Sequence, residues 1–188
     1  MNIILIGYRG SGKTSVGREL ARLLDRPLFD SDRMVFAKMG RTVREIVEAG
    51  GWPAFREAEK SVIAELAALD HAVISLGGGA VMDSENISVL EDRGTFVWLK
   101  ADARTLADRM KSEQNGNGQR PSLTGAGTLE EIERVLAERL PVYKAVADLA
   151  VDTAGKFPAD IAAEIAAALV EGPEEHRARK GRRKRHVR

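Results

Sequence analysis

Cysteine is absent from this chain, aromatic residues make up only 5% of it, and no apolar run approaches the roughly eighteen residues that span a membrane. Without cysteine there are no disulfides, no thiolate metal ligands and no thiol nucleophile, so Cys-based zinc sites are excluded. The opening Met1-Asn2-Ile3-Ile4-Leu5-Ile6-Gly7 carries a short apolar run with no basic region before it, so neither secretion nor membrane insertion is expected. Two Trp, two Tyr and five Phe offer little for stacking on single-stranded nucleic acid. Histidine is scarce too, and His71, His176 and His186 are not spaced as metal ligands.

A large charge excess is also missing, since 29 Lys and Arg stand against 28 Asp and Glu. The balance is uneven along the chain. Residues 173–188 hold eight Lys and Arg against Glu174 and Glu175, which leaves residues 1–172 with 21 basic and 26 acidic side chains. The body is therefore mildly acidic, with no electrostatic footprint for nucleic acid. The end reads as a solvated, disordered tail whose only nucleic-acid contact would be nonspecific.

What is present is the material of one α/β domain: 188 residues, 44% of them hydrophobic. Apolar, β-branched runs alternate with helical stretches, as in a parallel sheet covered on both faces. The strands are expected at 2–6, 27–29, 72–76, 95–99 and 149–151. Helices are expected at 13–24, 32–38, 43–48, 53–69, 84–91, 103–110, 129–146 and 158–169. Thr42 and Glu45 have capping-box spacing, and Pro53 stands where a first-turn proline is tolerated. Residues 111–127 have no periodicity and are rich in Gly, Asn, Gln and Ser, which predicts a mobile loop around Arg120-Pro121.

Gly7-Tyr8-Arg9-Gly10-Ser11-Gly12-Lys13-Thr14 matches G-x-x-x-x-G-K-S/T between the first strand and the first helix, the setting of a P-loop. Glycines let the backbone wrap so that its N–H groups point at phosphate oxygens, and the following helix adds its positive end. Lys13 would reach the β and γ phosphates, and the Thr14 hydroxyl would serve Mg²⁺, a cation that takes oxygen ligands and keeps several waters. No Asn-Lys-x-Asp guanine-reading motif occurs, and the strand 72–76 ends without a metal-binding Asp. The best carboxylate for the metal is Asp30, at the carboxyl end of the second strand and so on the same sheet edge as the P-loop.

Asp32, two residues on, has two readings: a helix N-cap, or an acceptor for the hydroxyl to be phosphorylated. Arg56 and Glu59, at i,i+3, form a surface ion pair or a fixed guanidinium fork for a substrate carboxylate. Gly77-Gly78-Gly79 puts bare backbone at the end of a strand, where a small ligand can approach closely.

These residues, with the Arg120-Pro121 segment and Arg139-Leu140-Pro141-Val142-Tyr143, make residues 1–170 closely resemble shikimate kinase. The resemblance implies a P-loop fold with five parallel strands ordered 2-3-1-4-5, a mobile lid at about 111–127 and substrate-binding helices at about 31–62. Residues 1–172 would form the kinase domain and 173–188 an appendage. The implied reaction is ATP-dependent phosphorylation of the shikimate 3-hydroxyl, within aromatic amino-acid biosynthesis; a cytoplasmic location is expected and, as no large apolar surface stripe is evident, a monomer.

Carried over by position, the resemblance places ATP on Gly10, Ser11, Gly12, Lys13, Thr14 and Ser15. Arg109 and Pro158 fall on the adenine side, and Arg120 reaches the transferring phosphate from the lid. Shikimate falls to Asp32, Arg56, Gly77, Gly78, Gly79 and Arg139, with the two arginines on its carboxylate. One Mg²⁺ goes to Thr14 and, through water, to Asp30, and Lys13, Asp32 and Arg120 are implied as catalytic. The chain departs from the pattern at Ser122, where Leu is common. Two other readings stay open: a kinase for another small hydroxy acid such as gluconate, and a noncatalytic nucleotide-binding module whose basic tail docks on a polyanion.

Overall fold

The structure, a computed structural model, describes residues 1–114 and 129–171. Five strands form one sheet: β1 (Asn2–Ile6), β2 (Leu28–Asp30), β3 (Val73–Ser75), β4 (Gly94–Lys100) and β5 (Leu149–Asp152). Every pairing is parallel and the order is β2-β3-β1-β4-β5. The helices among the described residues are α1 (Lys13–Leu24), α2 (Ser31–Met39), α3 (Val43–Ala67), α4 (Ser84–Leu90), α5 (Ala103–Gln114), α6 (Leu129–Val146) and α7 (Pro158–Glu171), with a 3₁₀ turn at Ala80–Met82.

Strand alternation divides the core into two. Ile4, Ile6, Ile74, Phe96 and Trp98 face a cluster shared with α3, α4 and α6. Ile3, Leu5, Val73, Val97 and Leu99 face the opposite cluster, built with α1 and α7. A parallel sheet with both faces covered must be apolar at nearly every position, and all five residues of β1 are buried. Each fully buried Leu or Ile contributes about 1.5–3 kcal/mol relative to exposure. A third, smaller cluster of Tyr8, Leu106, Ala107, Ile132 and Val135 seats α5 and α6 at the carboxyl edge of the sheet.

Two polar side chains inside this core, Asn2 and Asp148, are matched. The Asn2 side chain donates to Leu69 O at 2.8 Å and accepts from Ala72 N at 3.0 Å, tying the start of β1 to the turn before β3. Asp148 accepts from Phe96 N at 2.9 Å just before β5.

The segment 43–67 holds the two expected helices, separated by Gly51 in a non-helical conformation (φ 72, ψ 179), with Pro53 opening the second half. The expected Thr42/Glu45 capping box is present at its start. Among the described residues no helix is long and apolar enough to cross a membrane.

β1 is followed by α1 on one face, whereas β3 leads to α4 on the other. The chain therefore changes direction between neighbouring strands β1 and β3, and a crevice opens at their carboxyl ends. The loops after these two strands, together with the end of β2, supply the residues described next.

Candidate active site

The loop 7–12 leaves β1 with Gly10 and Gly12 at φ 78 and 90, conformations that side chains resist. Gly12 caps α1 with no side-chain hydrogen bond to the first turn. A phosphate is the natural cap for such an end. Lys13 Nζ lies back over the loop, donating to Gly7 O and Tyr8 O at 2.9 Å each. Ser11 is buried, its hydroxyl without a partner among the described residues, and Ser15 is exposed on the first turn.

Thr14 Oγ1 donates to Asp30 Oδ2 at 2.9 Å. The other Asp30 oxygen accepts from the N–H groups of Asp32 at 3.1 Å and Arg33 at 3.3 Å, so Asp30 is the N-cap of α2. The cap reading of Asp32 is thereby replaced: Asp30, the last residue of β2 with extended φ/ψ, takes that role, and Asp32 stands inside the first turn, half-buried. No group of three or more His, Cys, Asp or Glu side chains among the described residues could hold a metal. One hydroxyl beside one carboxylate instead suits a hard cation that keeps its waters and leans on phosphate oxygens.

Glu59 is 1% exposed on α3 and accepts a short hydrogen bond from Arg56 Nη1. Burial pushes its carboxyl above the usual glutamate value, and the Arg56 guanidinium pulls the other way. Arg56 also lies over the rings of Trp52 and Phe55, at 5.7 and 5.2 Å. Both packing and charge hold this fork in one orientation. A Cβ on Gly77 would stand 2.8 Å from Glu59 Oε1 and 3.0 Å from Asp32 Oδ1, and one on Gly79 would run into the Arg56 guanidinium. The bare backbone is thus needed where the turn passes the two carboxylates and the arginine.

From α6, Arg139 Nη1 donates to Gly78 O at 3.0 Å, its guanidinium lying 5.6 Å over the Tyr8 ring. The turn therefore meets Arg56 at Gly79 and Arg139 at Gly78, and it packs on the P-loop: a Cβ on Gly78 would be 3.3 Å from both Arg9 N and Gly7 O. At the opposite end of the P-loop, Arg109 donates to the Thr153 hydroxyl at 2.9 Å, to Thr153 O at 2.6 Å and to Gly10 O at 3.4 Å. Pro158 opens α7 after this loop. Residues 111–114 of the expected lid instead continue α5, and Arg120 with the rest of that lid, 115–127, lies outside the described residues.

Two contacts escaped the sequence reading. Ser31 Oγ accepts from Gly77 N at 2.9 Å, and Tyr143 donates from its hydroxyl to Gly78 O at 2.6 Å. Their partners are 46 and 65 residues away, and no spacing rule reaches that far.

A phosphate-cradling loop at the switch point of a 2-3-1-4-5 parallel sheet defines a P-loop kinase fold. The sequence model of the shikimate kinase family matches residues 9–170, and the chain belongs to that family. A shikimate kinase of Syntrophus aciditrophicus is 41% identical over 172 residues, covering 87% of this chain and 88% of the relative. One from Symbiobacterium thermophilum is 43% identical over 174 residues, covering 93% and 99%. Among solved structures, the shikimate kinase of Acinetobacter baumannii in complex with shikimate superimposes with a TM-score of 0.84 at 34% identity, over 90% of this chain and 93% of that one.

Proposed function

We propose that the protein transfers the γ-phosphoryl group of ATP to the 3-hydroxyl of shikimate, giving shikimate 3-phosphate for aromatic amino-acid biosynthesis. The observation that carries this reading is the contact of both Arg56 and Arg139 with the Gly77–Gly79 turn, with Asp32 and the P-loop against the same turn. An acceptor with one carboxylate and several hydroxyls asks for cations at one end and a carboxylate plus backbone groups at the other. The Acinetobacter baumannii relative, solved with shikimate, supports the choice of acid.

In this reading the 3-hydroxyl oxygen bonds to the γ-phosphorus as that phosphorus parts from the β,γ-bridging oxygen. The hydroxyl proton passes to Asp32, and ADP leaves. Lys13 swings from the loop carbonyls onto the β and γ phosphates, while the N–H groups of Gly10 through Ser15 hold the nucleotide. Arg56, oriented by Glu59, and Arg139 bind the carboxylate bidentately, and the bare Gly77–Gly79 backbone lets the ring approach. Thr14 and, through water, Asp30 would hold one Mg²⁺, which when bound neutralises charge on the phosphates. Arg109 and Pro158 flank the adenine, and Arg120 supplies charge at the transferring phosphate from the lid.

All of this comes from one chain, so a monomer within the cytoplasm suffices, and residues 1–172 carry the activity. A coupled ADP-release assay with ATP and Mg²⁺ tests the proposal, with shikimate and gluconate run in parallel. Shikimate-dependent release is expected, falling about 10²–10⁴-fold in Asp32→Asn, with turnover kept when residues 173–188 are removed. Gluconate-dependent release without shikimate turnover would assign a different acid. Nucleotide binding without release for either acceptor would favour the binding-module reading.

A further inference from the structure

Tyr143 takes no part in the transfer just described, yet it holds the same backbone atom as Arg139. Its hydroxyl donates to Gly78 O at 2.6 Å while Arg139 Nη1 donates to that oxygen at 3.0 Å. A carbonyl oxygen has two lone pairs, and here both donors come from positions i and i+4 of α6. The tyrosine is 0% exposed and its ring stacks on Trp98 with centroids 5.8 Å apart, so packing leaves the hydroxyl little freedom to choose another acceptor. Burial also pushes the phenol up to about 12, which keeps it a donor at any physiological pH.

The Gly78–Gly79 peptide is trans, so fixing its carbonyl oxygen toward α6 directs the Gly79 N–H away from α6. No described residue accepts from that N–H. The same glycine lies against Arg56, whose Cζ would be 3.0 Å from a Cβ placed there. The orientation of this one peptide therefore sets the turn relative to both guanidinium groups.

We infer that Tyr143 is a positioning residue for the acceptor site: its buried hydroxyl locks the Gly78–Gly79 peptide and, by sharing Gly78 O with Arg139, presets the turn and both arginines to meet an acid as one unit. The inference deepens the reading of the acceptor as a hydroxylated carboxylic acid and rests on it. A tyrosine that served only the core would affect stability without separating the two substrates.

The test is Tyr143→Phe, which keeps the ring and its stacking and removes one oxygen. With shikimate as acceptor, its KM and its Kd by calorimetry should rise about three- to tenfold, the loss of one hydrogen bond, while the ATP KM stays within twofold. In an Arg139→Lys background the further effect of Tyr143→Phe should shrink below twofold, because both act through one oxygen. Independently of any acceptor, exchange of the Gly79 amide in ¹⁵N-glycine-labelled protein should quicken in Tyr143→Phe. An unchanged shikimate KM, an equal rise in both KM values, or an unchanged Gly79 exchange rate would overturn the inference. Failure of the unaltered protein to turn over shikimate would instead overturn the acceptor assignment, with Gly79 exchange still deciding the role of Tyr143.

Discussion

Thr14 Oγ1 and Asp30 Oδ2, 2.9 Å apart, join the first turn of α1 to the residue that caps α2. One carboxylate thus serves two purposes, and substitutions can separate them. Asp30→Asn retains a good cap but removes the charge, so kcat with Mg²⁺ should fall at least tenfold with the melting temperature nearly unchanged. Asp30→Ala should lose activity and also about 1 kcal/mol of stability. Thermal melts beside steady-state kinetics check both, and a melting temperature that drops equally in the two variants would contradict the separation.

Lys13 lies on Gly7 O and Tyr8 O, and in the proposed reaction it moves onto phosphate. Lys13→Met should lower kcat about 10²–10³-fold, the usual effect of removing one preorganised charge from a developing anion. Single-turnover rates at saturating ATP are the measurement. A change confined to the ATP KM would assign Lys13 to binding alone.

Gly77→Ala tests the close approach of the glycine turn to its carboxylates, since the new methyl would stand 2.8 Å from Glu59 Oε1. Displacing Glu59 should loosen Arg56 and raise the shikimate KM by at least tenfold, with the ATP KM little changed. Kinetics with each substrate varied in turn decide it.

Glu59 predicts a pH dependence whose sign follows from its raised pKa. The folded protein keeps this proton at a pH where an unfolded chain, with glutamate near 4.5, has released it. The group therefore favours folding fully below 4.5, and that contribution is lost as pH rises through the folded value. Glu59→Gln removes the titration, so its stability relative to the parent protein should improve as pH climbs from 4.5 toward neutrality. Its shikimate KM should nonetheless be higher at neutral pH, because Arg56 loses its partner. Urea midpoints at a series of pH values, beside kinetics, test the two halves separately.

Asn2 offers a stability prediction far from the chemistry. Asn2→Ala strands Ala72 N in a buried site and Leu69 O in a partly buried one, costing about 1–3 kcal/mol for the buried amide and less for the carbonyl. For a domain of this size each kcal/mol lowers Tm by about 2–4 °C. The variant should keep its kcat at 25 °C, as no residue of the proposed site touches Asn2.

Much of this was legible in the order of residues. β1 lies where its apolar run stands, α1 begins at the P-loop lysine, and the Thr42/Glu45 box opens α3, because each depends on neighbours within about four positions. Boundaries moved where a local signal had two uses. Asp30 and Asp32 are both good caps by type, and only the extended conformation at the end of β2 gives the cap to Asp30. The break expected between two helices falls at Gly51, whose backbone is non-helical (φ 72, ψ 179). Ala80–Met82 is too short to show any period.

By itself, then, the sequence determined the alternation of strands and helices, the phosphate-cradling loop and the side chains available to an acid-binding site, since propensity, periodicity and turn chemistry act over short stretches of chain. Tertiary structure alone decided which of those side chains meet. Gly78 O is shared by Arg139 and Tyr143, and Gly77 N is bound by Ser31, only because the sheet order places β3 between β2 and β1 and α6 packs against the turn after β3. Contacts of that span are selected by close packing of the whole core, in which every helix must find its place on the sheet before any of these distances exists.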